Sequence, residues 1–315
     1  MIECFIGIDT SNYTTSAAIC TKDGEVVTNL KIPLPVKAGE CGLRQSDAVF
    51  AHVKNLPTLM QSLAKELQGK KPVAIGVSAT PRPIEGSYMP CFLSGIAAAE
   101  SFATAADIPL LRFSHQEGHI MAATYSAGAM HLLNAEQFAA FHVSGGTTEV
   151  LLVKPHANGF DIELLSATAD INAGQAIDRI GVMLGLAFPC GKELEKLAQM
   201  NTKKVPKSRI SVKDGYCNLS GLENMASKLW QESGDAALVA AFTLQFIGDT
   251  LIEMTKALDA RFPTLPIVYA GGVMSNQYLQ SRLSERENTY FAEPQFSADN
   301  AAGIALLCRK QFLKI

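Results

Sequence analysis

Cysteine pairing is the first thing this chain lacks. Its seven cysteines, Cys4, Cys20, Cys41, Cys91, Cys190, Cys217 and Cys308, are scattered, odd in number and never spaced as Cys-x-x-Cys. That argues against a disulfide framework and predicts buried or free thiols in a reducing compartment, the cytoplasm. The opening stretch MIECFIGID runs straight into a strand pattern and has neither the basic n-region nor the cleavage site of a signal peptide. No run reads as long and apolar enough to span a membrane. Strong net charge is missing too. A formal charge of −3 gives no global attraction to nucleic acid, so any RNA contact has to come from a local basic patch. Charged residues are only 18% against 48% hydrophobic, which excludes a disordered chain and implies a large core. Two familiar active-site signatures are also absent. Gly191-Lys192 does not complete a Walker A loop, because Gly185 is one residue too far upstream and Glu193 replaces the Ser/Thr. There is no HExxH, and no evident nucleophile–base pair.

What is present centres on Phe141 to Val153, FHVSGGTTEVLLV. Two apolar runs flank Ser144-Gly145-Gly146, the pattern of a β-hairpin. Adjacent glycines let backbone approach a ligand, and such a turn can aim N–H groups at an anion, phosphate above all. An ordinary hairpin without a ligand fits the same residues. The N-terminus repeats the pattern: Phe5 to Ile19 reads FIGIDTSNYTTSAAI, again two apolar strands about a hydroxyl-rich turn. At 315 residues the chain exceeds the usual limit of one core, so two lobes are expected. A hairpin in each half resembles the α/β design of the actin-like ATPases and sugar kinases, the ASKHA fold, in which duplicated β-hairpins surround a nucleotide cleft. The expected division is an N-terminal lobe of residues 1–112, completed by a C-terminal helix at 300–315, and a C-terminal lobe of residues 113–299.

Along the chain, a helix from Asp47 is predicted to bury Val49, Val53, Leu56, Met60, Leu63 and Leu67, with His52 between them as a structural or exposed residue. Ser114 is placed as the N-cap of the next relevant helix. His115 and His119 then share one helical face, four residues apart. That is either a two-histidine metal grip in need of a further ligand or two unrelated histidines at a helix start. Asn201 to Ser211 forms a basic loop with Lys203, Lys204, Lys207 and Arg209. Such a run is usually just solvated, but it is also the best local candidate for RNA phosphate. A long helix is read from Asp235 to Arg261, and Ser297-Ala298-Asp299-Asn300 as the cap of the last helix.

These residues together resemble the family of bacterial TsaD and its archaeal and eukaryotic relatives, which make N6-threonylcarbamoyladenosine in tRNA. The likeness spans nearly the whole chain: GIDTS at Gly7 to Ser11, HQEGH at His115 to His119, VSGGTT at Val143 to Thr148, and AGQAIDR at Ala173 to Arg179. It continues through LGLAFPCGKELEKLA at Leu184 to Ala198, SGL at Ser220 to Leu222, AGGVMSN at Ala270 to Asn276, and ADNAAGIA at Ala298 to Ala305. The resemblance implies one iron or zinc ion, held by His115, His119 and Asp299. It implies a nucleotide, ATP or AMP or threonylcarbamoyl-AMP, against His142, Val143, Ser144, Gly145 and Gly146. Asp178, Gly191 and Glu195 would lie toward the ribose, and Gly271, Gly272 and Asn276 on the far side. It assigns no catalytic residue here. It implies TsaB- and TsaE-like partner proteins. An older label for the family, O-sialoglycoprotein endopeptidase, finds no support in the residues. The chain departs from the family at several points. The usual Cys-Asp-Glu-Thr is Asn12, Tyr13, Thr14 and Thr15. The histidine of SGGHT is Thr147, and the Glu of GEAFD is Gln175. Gln45-Ser46 stands for Pro-Glu, and Pro81 to Ser87 replaces a Gly-Pro-Gly loop. These losses of acidic groups define a second reading: a divergent paralogue that binds metal and adenine nucleotide with little or no tRNA modification.

Overall fold

A computed structural model describes residues 1–11, 13–35 and 43–315. Asn12 and residues 36–42, which include Cys41 and much of the Pro/Gly loop before the first helix, lie outside the described residues. The chain begins with β1 (Ile2–Thr10), β2 (Thr14–Thr21), β3 (Val26–Pro33), α1 (Gln45–Glu66), β4 (Lys70–Thr80), α2 (Phe92–Ala106), β5 (Leu110–Ser114) and α3 (His115–Ser126). There follow β6 (Phe138–Val143), β7 (Thr148–His156), β8 (Gly159–Ala167), α4 (Ala173–Met183), α5 (Gly191–Gln199), β9 (Ser211–Lys213), β10 (Tyr216–Asn218), α6 (Gly221–Ser233) and α7 (Ala236–Arg261). The last elements are β11 (Ile267–Ala270), α8 (Gln277–Leu283), β12 (Thr289–Phe291), the short α9 (Pro294–Ser297) and α10 (Ala302–Leu313).

Two compact units result. Unit 1 comprises Met1–Ser126, Pro155–Asp161 and Gln295–Ile315, and unit 2 comprises Ala127–Lys154 and Ile162–Pro294. The first boundary falls after Ser126 rather than after residue 112, because α3 packs on α10. The two helices meet where Gly303 passes Gly118: a Cβ on Gly303 would lie 1.8 Å from the Gly118 carbonyl oxygen. Residues 155–161 join unit 1 because Phe160 N–H donates to Glu117 Oε1 (3.3 Å) and Lys310 Nζ donates to the His156 carbonyl (2.5 Å).

Each unit holds one five-stranded sheet, and the two sheets share a topology. The orders are β3-β2-β1-β4-β5 and β8-β7-β6-β11-β12. In both, a first strand pairs antiparallel with its hairpin partner and parallel with a strand much later in the chain. The duplication read from two turns therefore extends to whole sheets. Parallel central strands buried on both faces need continuous apolar runs, which Cys4 to Ile8 and Phe138 to Phe141 provide. Unit 1 packs Ile6, Ile8, Ile75 and Val77 against Leu59 and Leu63 of α1. On the other face of that sheet, α10 comes so close that a Cβ on Gly7 would lie 2.4 Å from the Ala301 carbonyl.

Three sequence expectations need correction. Val53 is 55% exposed, because the buried face of α1 runs through Ala48, His52, Leu56, Leu59 and Leu63 instead. His52 can occupy that face because Thr15 Oγ1 lies 2.8 Å from Nδ1 and the Ser11 carbonyl 2.8 Å from Nε2. A buried polar ring with both nitrogens paired carries little penalty. The final helix is not capped by the side chains of Ser297 or Asp299. Ala301 holds the N-cap position, and Asn300 Oδ1 accepts the Ala302 N–H at 3.0 Å. Finally, α7 is long and apolar enough, by length and composition, to cross a membrane, against the reading that no such run exists. In the structure 67% of that window is buried, and Phe242, Phe246, Leu251 and Met254 stand in the core of unit 2.

Candidate metal centre and ligand-facing turns

Three segments of unit 1 meet at one point. β1 ends at Asp9-Thr10-Ser11, β5 hands over to α3 between Ser114 and His115, and Asp299 precedes α10. The start of α3 is set by a reciprocal cap. Ser114 Oγ accepts the Glu117 N–H (3.2 Å), and Glu117 Oε2 accepts the Ser114 N–H (2.8 Å). Glu117 is thereby turned inward and buried, and His115 and His119 face the other way, one turn apart. Their Nε2 atoms are 2.9 Å from each other, and Asp299 Oδ1 lies 3.2 Å from His119 Nε2 and 3.6 Å from His115 Nε2. One ligand atom from each of the three residues falls within a span of 4.8 Å.

The surrounding groups are polarised toward this point. His115 Nδ1 lies 2.9 Å from Asp9 Oδ1, and Asp299 Oδ2 accepts from Ser11 Oγ at 2.8 Å. Burial alone would favour a neutral His115 ring. The flanking carboxylates of Asp9 and Asp299 outweigh it and push its pKa up to about 10. For Asp299, burial works against the charged form, yet hydrogen bonds from the two histidines hold its carboxyl well below the usual range. Two imidazoles and one carboxylate with a shared focus form a donor set suited to zinc or iron.

The glycine-rich turn of unit 2 is built differently, from backbone. Ser144 Oγ accepts N–H groups from Gly146 (3.2 Å) and Thr147 (3.1 Å), while Ser144 N–H donates to the Thr147 carbonyl (2.7 Å). The start of α4 leans directly on this turn: Gly174 N–H donates to the Ser144 carbonyl at 3.0 Å, and a Cβ on Gly174 would lie 2.6 Å from the Gly145 nitrogen. Gln175, where the family has a carboxylate, completes a capping box with Asn172 at that same helix start. Gly271 is demanded by its backbone, with φ +101° and the Val143 carbonyl 2.2 Å from a Cβ position. Gly145, Gly146, Gly191 and Gly272 are not. A Cβ on any of them would meet nothing within 4 Å, so each leaves open space at the surface.

The other expected nucleotide residues each have a local task. Val143 is buried. His142 sits on β6 opposite Glu149. Asp178 Oδ1 accepts the Cys190 N–H at 2.8 Å just before Gly191, and burial pushes its pKa up. Glu195 Oε1 accepts the Gln277 N–H at 2.7 Å, and Asn276 caps α8 through the Leu279 N–H. The structure thus joins 143–146 to 174 and 271, 178 to 190, and 195 to 277. In the basic loop, Lys203 is already paired with Asp235 at 2.7 Å, and Ser208 is tied to Asp249 at 2.6 Å. Lys204, Lys207 and Arg209 are exposed.

Sequence reading assigned no role to Asp9, Ser11, Ser78 or Glu117. The first two lie in the quoted GIDTS, and an acid closing an apolar strand was the signal to follow. The other two acquire their roles only through neighbours.

Two like sheets with this order define the class: the fold is that of the actin-like ATPases and sugar kinases. Solved structures agree. HypF of T. kodakarensis superposes with a TM-score of 0.63 at 12% identity, over 99% of this chain and 48% of that one. A ROK family glucokinase from Streptomyces griseus, solved with glucose and AMPPNP, gives 0.53 at 13% identity, over 98% of this chain and 99% of that one. Within the class, residues 38–306 match the family described as TsaD, tRNA N6-adenosine threonylcarbamoyltransferase, and the chain belongs to that family. A relative of that name from Streptococcus uberis is 31% identical over 98% of this chain and 92% of its own length.

Proposed function

We propose that the chain transfers a threonylcarbamoyl group from threonylcarbamoyl-AMP to the N6 amine of an adenosine in tRNA. The adenosine nitrogen forms a bond to the carbamoyl carbon, the bond from that carbon to the AMP phosphate oxygen breaks, and AMP departs as the amine loses a proton. The observation that carries this reading is the convergence of His115, His119 and Asp299, already braced by Asp9 and Ser11, in a member of this family. The donor set fits zinc or iron, which when bound supplies a Lewis acid. His115, His119 and Asp299 would hold that ion. The turn at Ser144 to Thr147 uses most of its own N–H groups internally, and it is the open space at Gly145 and Gly146 that would receive phosphate; Gly191 and Gly272 leave room for the rest of the nucleotide. Lys204, Lys207 and Arg209 offer charge to the tRNA backbone, and TsaB- and TsaE-like proteins are the expected partners.

A specific observation favours the second reading, a paralogue that binds but modifies poorly. Gln175 is engaged in capping α4, and Thr14 and Thr147 carry no charge. An amine nucleophile depends on oriented proton acceptors, and one such group is worth ~100-fold or more in rate. The deciding experiment is an assay with threonine, ATP, bicarbonate, tRNA and the partner enzymes. We expect measurable but slow formation of the modified base. Turnover matching a family member with the intact motifs would remove the second reading, and its complete absence would remove the first.

A further inference from the structure

Asp9 is a fully buried carboxylate at the end of β1. Its Oδ1 lies 2.9 Å from His115 Nδ1 and accepts from the Ser78 hydroxyl of β4, while its Oδ2 is buried without a partner among the described residues. Burying a charge with one oxygen unsatisfied works against stability. The fold therefore gains little from Asp9, and its effect on His115 is what distinguishes it from an apolar residue of the same size. Where the Asp9 oxygen accepts from the ring, the shared hydrogen sits on Nδ1. The opposite nitrogen, Nε2, is the one that faces His119 and Asp299. Two residues further on, Ser11 does the corresponding work for Asp299 by donating to Oδ2. A single strand end thus orients two of the three ligand residues.

We propose that Asp9 is a positioning residue that keeps a proton on Nδ1 of His115, so that Nε2 is the nitrogen offered to a metal ion held with His119 and Asp299. The consequence for metal affinity rests on the metal reading given above; the assignment of the proton rests on the hydrogen bond alone. Asp9 lies across the imidazole from the focus of the ligand atoms and acts only through the ring. Partners of this kind typically change metal affinity by about 10–100-fold.

Both parts are testable on the full chain. Ring ¹⁵N–¹H correlation spectra of metal-free protein above about pH 10, where the ring is neutral, and of zinc-loaded protein should show His115 protonated at Nδ1, with the zinc-loaded ring bound through Nε2. Asp9→Asn, which keeps the shape but removes the charge, should shift the proton of the neutral ring toward Nε2 and weaken zinc binding by about 10–100-fold in chelator competition. Ser78→Ala, which loosens the carboxylate without touching the ring, should do the same more weakly, and it decides the matter where Asp9→Asn does not fold. A parent His115 that carries its proton only at Nε2, or an Asp9→Asn protein with the parent's spectrum and zinc affinity, overturns the proposal. A parent that takes up no zinc while His115 keeps its Nδ1 proton overturns the metal reading and supports the proton assignment.

Discussion

The two hairpin turns occupy the same place in matching sheets, yet they have been put to opposite uses. In unit 1, the end of β1 supports side chains: Asp9 and Ser11 brace His115 and Asp299, and Thr10 is tied to α2 by accepting the Gly95 N–H and donating to the Cys91 carbonyl. In unit 2, the end of β6 leads into glycines, and what it presents is backbone. Side-chain ligands can be focused to a few ångströms, as a metal ion requires. The unit 2 turn spends most of its N–H groups on Ser144 Oγ and the Thr147 carbonyl, and what it leaves outward is open space at Gly145 and Gly146. One architecture, duplicated, therefore carries interacting side chains at one strand end and open backbone at the other.

The sharpest way to break this contrast is to remove a side chain from the first turn's site. His119→Ala should reduce bound transition metal from about one per chain to near none, read by metal analysis, and leave the thermal shift caused by ATP or AMP unchanged. Full metal occupancy in that variant would rule the centre out.

Close backbone packing comes next. Gly303→Ala puts a methyl group 1.8 Å from a carbonyl oxygen, and Gly174→Ala puts one 2.6 Å from the Gly145 nitrogen. Each should destabilise by about 1–3 kcal/mol, the former at or beyond the upper end, because rigid backbone has to move. Urea titration measures both, and wild-type midpoints would show that these helices can separate freely.

Gly145→Val separates binding from folding. With open space at its Cβ position it should cost little stability, yet abolish the rise in melting temperature that a native-state ligand brings. A shift retained in full would mean that this turn does not face the nucleotide.

The smallest effect is expected at Asp170, which has no counterpart among the metal residues but shows how unit 2 uses carboxylates for structure. It accepts N–H groups from Ile171, Leu219 and Ser220 ahead of α6. Burial raises its pKa, but these hydrogen bonds outweigh burial and hold it well below the ordinary value. With the folded pKa depressed, its contribution is present above about pH 4 and fades as pH falls further. Asp170→Ala should cost about 1 kcal/mol at neutral pH, the scale of a lost helix cap. It should also flatten the acid limb of the stability profile. An unchanged acid limb would assign that limb to other carboxylates.

Much of this was legible in advance where the cue was local. The two hairpins, the pairing of His115 with His119 and the basic loop all announce themselves within a dozen residues. Reading failed where a contact from elsewhere in the chain made the choice. His52 stayed open between structural and exposed, and the contacts of its ring with Thr15 and the Ser11 carbonyl decide for a buried structural residue. Lys203 looked available until Asp235 neutralised it. Gln175 looked like a lost acid and proved to be half of a capping box, although that motif with Asn172 stood in the sequence.

By itself the sequence determined the hairpin pair, the α/β pattern and the motif set that places the chain in its family, because turn chemistry and hydrophobic period act over a few residues. Tertiary structure alone decided that the acid closing β1 turns onto His115, that Ser11 reaches Asp299 across 288 positions of chain, and that α3 belongs with α10 rather than with the strands that follow it. Those outcomes depend on how far apart strands and helices come to rest, and no local propensity encodes a distance between segments that only packing brings together.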